Sequence, residues 1–235
     1  MDEELKAQLE KDFSRNLPIL GFFSNYPLKK KFSNNESFIL QGKSDYDWAY
    51  LSVTEPDDLR VLLEKYDFST LYFANVEDWM IPQLCQNHRI EWKLTTHRFF
   101  LPASAAFETP ENTCIPLDAS YVNYIYRHSP YKDFTSENYI IERLEKDISA
   151  GIWLNEDLIG WGLTHDDGSL GFLNVVNAHR GKGVGEAVLR CLIHAKRRHD
   201  KPVYVNVEPH NKESLSLLKK MGFEFERVVS WVKLI

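Results

Sequence analysis

The chain is poor in cysteine, in unbroken apolar sequence and in positive charge, and each shortage removes a class of protein. Only three cysteines, Cys85, Cys114 and Cys191, occur in 235 residues. They are odd in number and widely spaced, which argues against a disulfide scaffold or a zinc site and for reduced, buried thiols. No apolar run approaches the roughly 20 residues that span a bilayer, so no membrane association is expected. The N-terminus, MDEELKAQLEKDF, is acidic and amphipathic where a secretory leader is basic and then apolar. The expected address is therefore cytoplasmic. Lys and Arg number 28 against 34 Asp and Glu, a net charge of −6, which leaves no electrostatic footprint for nucleic acid. A basic pocket for a small anion remains open. What is present, 43% hydrophobic and 13% aromatic residues, suffices for one large or two small cores and excludes disorder.

The first half is mixed in pattern. A helix is expected around Leu5 to Leu17, with Pro18, Gly21, Asn25 and Pro27 breaking regularity after it. Ser37 to Gln41 and Trp48 to Val53 read as a hairpin, and Pro56 starts a helix carrying Leu59, Leu62 and Leu63. The strand Thr70 to Ala74, a short helix over Val76 to Asn87 and a long strand from Trp92 to Leu101 follow. The small-residue stretch from Ala103 to Pro110 is the expected boundary, dividing the chain into residues 1–105 and 110–235.

The second half is more regular. Helices are expected over Asp118 to Arg127 and Ser136 to Ala150, the latter stopped by Gly151. Three strands, Ile152 to Leu154, Leu158 to Thr164 and Ser169 to Val176, form an antiparallel meander through the turns AsnGluAsp and AspAspGly. A helix over Gly185 to Arg198, the apolar strand Val203 to Val207, a helix over Lys212 to Met221 and a C-terminal strand complete the chain. This order predicts an α/β fold with a mixed, mostly antiparallel sheet flanked by helices.

The segment AsnAlaHisArgGlyLysGlyValGly, 177–185, joins an apolar strand to an amphipathic helix. Gly181, Gly183 and Gly185 let the backbone turn tightly and approach a ligand, and the free N–H groups of the first helical turn attract an anion. Arg180 and Lys182 add positive charge, so a phosphate or pyrophosphate is the natural guest. Two better-known phosphate loops do not fit. No Ser or Thr follows Lys182 as a Walker loop requires, and Glu186 and Val188 stand where a dinucleotide fingerprint needs its last glycine.

Arg180-x-x-Gly183-x-Gly185, preceded by LeuAsnVal at 173–175, resembles the acyl-coenzyme A signature of the GCN5-related N-acetyltransferase (GNAT) superfamily. Val207-x-x-x-Asn211-x-x-Ser214-x-x-Leu217, followed by LysMetGlyPhe at 220–223, is similar to that superfamily's fifth strand, Asn-initiated helix and terminal glycine–aromatic step. The resemblance covers about residues 115–235. Within the superfamily the likeness is greatest to glycine N-acyltransferase-like (FR47-like) proteins, which carry a degenerate copy of the fold before the catalytic one. Residues 1–105 fit that description, since Thr70 to Phe100 mimics the second half of the fold without a glycine loop.

The resemblance implies an acyl-CoA-dependent N-acyltransferase, with acetyl-CoA or another acyl-CoA as co-substrate, no metal, and a small amine or amino-acid acceptor. The alternative is a non-catalytic acyl-CoA-binding or regulatory module. The backbone of Leu173 and Val175 would pair with the pantetheine arm as an added strand. Amides of Arg180, Gly181, Lys182, Gly183, Val184 and Gly185 would hold the pyrophosphate, and Asn211 would serve the cofactor helix. An amide near Val175 or Val176 would steady the oxyanion. For the base, the neighbourhood offers His165, Asp166 and above all Asp167, with Glu208 on the fifth strand as the other candidate. The superfamily's usual tyrosine acid is replaced by Leu218. Tyr121, Tyr124, Tyr126, Tyr131 and Phe134 are read either as a pocket lining or as half-buried packing.

Overall fold

The computed structural model describes residues 1–106 and 114–235. In chain order the elements are α1 (Glu3–Glu10), α2 (Phe13–Asn25), β1 (Lys30–Asn34), β2 (Ser37–Lys43), β3 (Asp47–Ser52), α3 (Pro56–Lys65), β4 (Tyr72–Val76), α4 (Ile81–Leu84) and β5 (Ile90–Phe100). There follow α5 (Val122–His128), α6 (Glu137–Lys146), β6 (Ser149–Leu154), β7 (Asp157–Thr164), β8 (Leu170–Val175), α7 (Val184–Arg198), β9 (Tyr204–Val207), α8 (Lys212–Lys220) and β10 (Glu224–Leu234). They form two compact units of discontinuous sequence: Met1–Phe99 with Val207–Leu215 and Phe225–Ile235, and Phe100–Asn206 with Ser216–Glu224. Of the expected boundary stretch, residues 107–110 lie outside the described residues.

In the first unit the strand order is β1-β2-β3-β4-β10-β5, with β3 and β4 parallel and β1/β2, β2/β3 and β4/β10 antiparallel. Side chains alternate across this sheet as a strand's period of two requires. Ile39, Ala49, Leu51 and Phe73 join Leu59 and Leu62 of α3 in one core, while Phe38, Leu40, Trp48 and Tyr50 join Leu5, Leu9, Ile19 and Phe22 of α1 and α2 in the other. The expected helix over 5–17 is instead two helices. Asp12 caps the second through its carboxylate on the Arg15 amide, and Asn16 Nδ2 donates to the Leu9 carbonyl at 2.8 Å. Pro18 and Gly21 lie inside α2, because burial of Ile19, Phe22 and Phe23 outweighs their weak helix propensity. The Lys29–Lys31 run opens the edge strand β1, where charged side chains blunt an unpaired edge. Lys29 and Lys30 pair there with Asp47 and Asp67.

The second unit has the order β9-β8-β7-β6, antiparallel except for the parallel pair β8/β9. This is the meander and strand–helix–strand order expected from the sequence. Helix α6 is shorter than expected. It ends at Lys146, Asp147 is extended, and Gly151 lies inside β6 rather than stopping the helix. Asp147 causes the change: its buried carboxylate accepts from the Ile148 amide at 2.9 Å and pairs with Lys201 at 2.7 Å. One face of the sheet carries Leu158, Trp161 and Leu163 against Val122 and Ile125 of α5 and Ile140 of α6. The other face is made for close approach. A Cβ on Gly160 would stand 2.6 Å from Val184 Cγ1, and one on Gly162 2.7 Å from Leu192 Cδ1, so α7 lies directly on a glycine stripe of β7.

One expectation is overturned here. Cys191, buried on α7, is disulfide-bonded to Cys114, with Cα atoms 5.8 Å apart, and Cys85 is the free thiol. An odd count is compatible with one bond, and a partner 77 residues away has no signature in spacing.

Candidate functional site

Strand β8 and the loop after it build the site. Ile159 and Val176 are hydrogen-bonded across β7 and β8, with Val176 N–H donating to the Ile159 carbonyl at 2.9 Å. The next pair, Gly160 with Val175, is therefore the non-hydrogen-bonded kind, whose amide and carbonyl point away from the neighbour. Val175 thus turns its N–H and C=O toward the side where β9 runs, and among the described residues β8 meets β9 in register only at Leu170 and Val205. A bulge accompanies the divergence: the register shifts between Trp161 and Leu163, and Phe172 has a φ of +51°. Of the two amides expected to steady an oxyanion, Val176 is committed to the sheet and Val175 is not.

A 3-10 turn, Asn177–His179, leads from β8 into the glycine loop. Gly181 and Gly183 have φ values of +71° and +82°, and an added Cβ at either would meet nothing within 4 Å. Their need for glycine is therefore conformational rather than steric. Gly183 is the N-cap of α7 with no side-chain cap, so the amides of the first turn are left for a ligand. At Gly185 a Cβ would lie 3.5 Å from Val175 Cγ2, ordinary contact. Glu186, the acid of the first turn, is held below the usual carboxylate range by hydrogen bonds from Lys220 and Arg190. Lys182 is exposed and makes no ion pair among the described residues. Arg180 folds back, its Nε donating to the Val175 carbonyl at 3.0 Å. His128, Asn174, Val175, Val176, Asn177 and Arg180 line a pocket of about 340 Å³. Cationic side chain, open strand edge and uncapped helix start are thus brought together.

The expected carboxylates are placed elsewhere. Asp167 is 1% exposed. Its Oδ1 accepts from the amide and hydroxyl of Ser169 at 2.8 and 2.7 Å, and its Oδ2 from Asn206 Nδ2 at 3.4 Å. Tyr204 hydroxyl donates to its carbonyl, and Lys196 Nζ to that of Gly168 at 2.6 Å. Burial pushes the Lys196 ammonium down to about 8 against the pull of Asp147. Asp167 therefore anchors the turn at the start of β8, about 20 Å of strand from the pocket at its end. Asp166 accepts from Tyr139 hydroxyl at 3.1 Å, and the His165 ring packs against Phe172. Glu208 and Asn211 belong to the first unit. Glu208 Oε2 lies 3.7 Å from His210 Nε2, and Asn211 Oδ1 accepts from the Ser214 amide at 3.1 Å, the cap expected of it. Leu218 is buried. Tyr121 and Tyr126 pack on the core, and Tyr131 and Phe134 are exposed. His128 went unnoticed in the sequence; its only local sign is a place four residues after Tyr124 at the end of a short helix.

Among the described residues no group of three His, Cys, Asp or Glu could hold a metal ion, and no helix is long and apolar enough to cross a membrane.

Residues 149–232 match the family described as FR47-like protein. Among solved structures, a Drosophila protein is similar with a TM-score of 0.81 and 17% identity, covering 100% of this chain and 97% of its own. A GCN5-related N-acetyltransferase-like protein from Streptococcus suis has a TM-score of 0.54 at 14% identity, covering 98% and 100%. A tandem GNAT protein from the clavulanic acid biosynthesis pathway has a TM-score of 0.50 at 14% identity, covering 93% and 86%. None of the curated proteins is a match. Residues 149–232 are FR47-like, and the chain has the fold of the GCN5-related N-acetyltransferases, as the motif around Arg180, Gly183 and Gly185 implied.

Proposed function

We propose that this chain is an acyl-CoA-dependent N-acyltransferase that moves an acetyl or larger acyl group to a small amine or amino acid, of which glycine is the type. The observation that carries the reading is the pocket where the free edge of Val175 meets the glycine loop opening α7. The first-turn amides with Arg180 and Lys182 suit a pyrophosphate. The outward C=O of Val175 suits an amide N–H of an extended arm lying along the strand, once Arg180 swings from that carbonyl to the phosphates, and its N–H is left for the acyl group. The acyl carbonyl then lies beside the Val175 amide, where a donor aimed at the developing oxyanion speeds attack by an amine.

A second reading, an acyl-CoA-binding module without turnover, is favoured by buried, apolar Leu218 and by the commitment of Asp167 to its turn. Thiol release from acetyl-CoA across glycine, other amino acids, arylalkylamines and polyamines separates the two. Release that depends on one acceptor class supports the transferase. Tight CoA binding by calorimetry with no release from any acceptor supports the binder, and no CoA binding at all refutes both.

A further inference from the structure

His128 ends α5, and one hydrogen bond fixes its chemistry. Its Nδ1 lies 2.8 Å from the carbonyl oxygen of Tyr124, one turn earlier. A carbonyl only accepts, so Nδ1 carries the proton, and the lone pair of the neutral ring sits on Nε2. Among the described residues nothing else hydrogen-bonds to that ring. The ring is held in place by aromatic neighbours, with centroids 4.3 Å from Tyr124 and 5.7 Å from Trp161, the latter edge-on at 78°. The support is tied to the sheet, since Tyr124 hydroxyl donates to the Leu158 carbonyl of β7 at 3.3 Å. The backbone is tied as well: Asn174 Nδ2, from the residue before Val175, donates to the His128 carbonyl at 2.9 Å. Orientation by a backbone carbonyl, a rigid seat and a free nitrogen are what a general base requires, and His128 lines the same pocket as Val175 and Arg180.

We propose that His128 is a catalytic residue of the acyl transfer, with Nε2 removing a proton from the acceptor ammonium. The inference rests on the transferase reading above. The ammonium gives one proton to Nε2, and the freed nitrogen pair forms the N–C bond to the thioester carbonyl while the π pair moves onto oxygen, facing the Val175 amide. As the carbonyl re-forms, the C–S bond breaks and sulfur leaves with its pair. Sulfur takes the second proton from nitrogen, and the imidazolium returns the first to water. Ammonium and thioester thus become amide, thiol and one proton. The groups around the ring are Tyr124 on its own helix, Trp161 from β7, Asn174 from β8 and, across the pocket, the charged Arg180.

The ring is exposed, so His128→Gln is expected to fold with an unchanged melting temperature. In the variant, thiol release from acetyl-CoA with the best amine of the panel should fall about 10²- to 10⁴-fold in kcat/KM at pH 7, the usual worth of general base catalysis. CoA affinity by calorimetry should stay within threefold. A second measurement needs no acceptor. Diethyl pyrocarbonate should modify His128, read by peptide mass, and acetyl-CoA should slow that modification without slowing it at the exposed His199. A variant within threefold of wild type, or no protection of His128 by acetyl-CoA in a protein that binds it, overturns the assignment while the transferase reading stands. A wild type that releases no thiol overturns both.

Discussion

Alanine in place of Gly183 isolates the contribution of backbone shape to cofactor binding. At a φ of +82° with nothing within 4 Å of an added Cβ, the methyl group clashes with no neighbour and the cost is conformational alone. For an L residue in the left-handed region that cost is about 1–2 kcal/mol. Where it appears depends on the loop. Gly181, Lys182 and Gly183 are all exposed, so the free protein escapes the strain by letting the loop relax, and global stability barely changes. CoA binding must then restore the left-handed turn, and affinity weakens by about 5- to 30-fold. Gly185→Ala is the control, since its φ is ordinary and its Cβ would lie 3.5 Å from Val175 Cγ2. It leaves the loop intact, so any loss there reports a ligand lying against the helix start. Calorimetric titration with CoA and thermal denaturation of both variants distinguish the cases. If Gly183→Ala binds CoA within twofold of wild type, the left-handed turn is not part of the binding conformation and the pyrophosphate assignment fails.

Two further outcomes follow from the interior of the second unit. The folded-state value of Lys196 is lowered to about 8 from 10.5 by burial, so between those values the unfolded chain binds more protons. Stability should therefore rise as pH increases from about 8 to 10.5, by roughly 3 kcal/mol from this group. Urea denaturation of wild type and Lys196→Met at pH 7.5 and 10 tests it: a pH difference of the same size in both proteins excludes Lys196 as the source. The Cys114–Cys191 disulfide closes a span of 77 residues, for which chain entropy gives an upper figure of about 4–5 kcal/mol. Reduction, or Cys114→Ser, should lower the melting temperature, and coincident melting curves with and without reductant would show that the bond restrains nothing in the unfolded chain.

The order of elements in the second unit was legible because its signals are local. Valines and leucines at helical spacing gave α7, AspAspGly and AsnGluAsp gave the turns of the meander, and three glycines beside Arg180 gave the loop. Where distant groups decide, local signals mislead. Burial of Ile19 and Phe22 carries α2 through Pro18, and the pull of Lys201 on Asp147 ends α6 five residues before Gly151. AspAspGly shows the same limit for function. The triplet signals a turn, yet nothing in the sequence says that Ser169 and Asn206 take both oxygens of Asp167.

The left-handed residues show why the site itself is only half legible. Asn35, Asn75, Asn155 and Asp200 adopt positive φ, as Asn and Asp do more readily than other residues, and Gly181 and Gly183 do so at no cost. Phe68, at +47°, breaks that rule, and so does Phe172, at +51°. The Phe172 side chain gives no hint of the bulge, and an aromatic residue in that region carries strain that the surrounding packing must outweigh. The strain lies in β8, three residues before Val175, where the register with β7 slips. A regular strand here would keep its partner on both sides and leave no open edge for a ligand. The bulge breaks that regularity while Ile159 still holds Val176, so the strand loses its neighbour at Val175 without losing its place in the sheet. The glycines advertise where an anion would sit because their chemistry is their own. The edge along which the acyl arm would lie is made by a residue whose type argues against the conformation it holds.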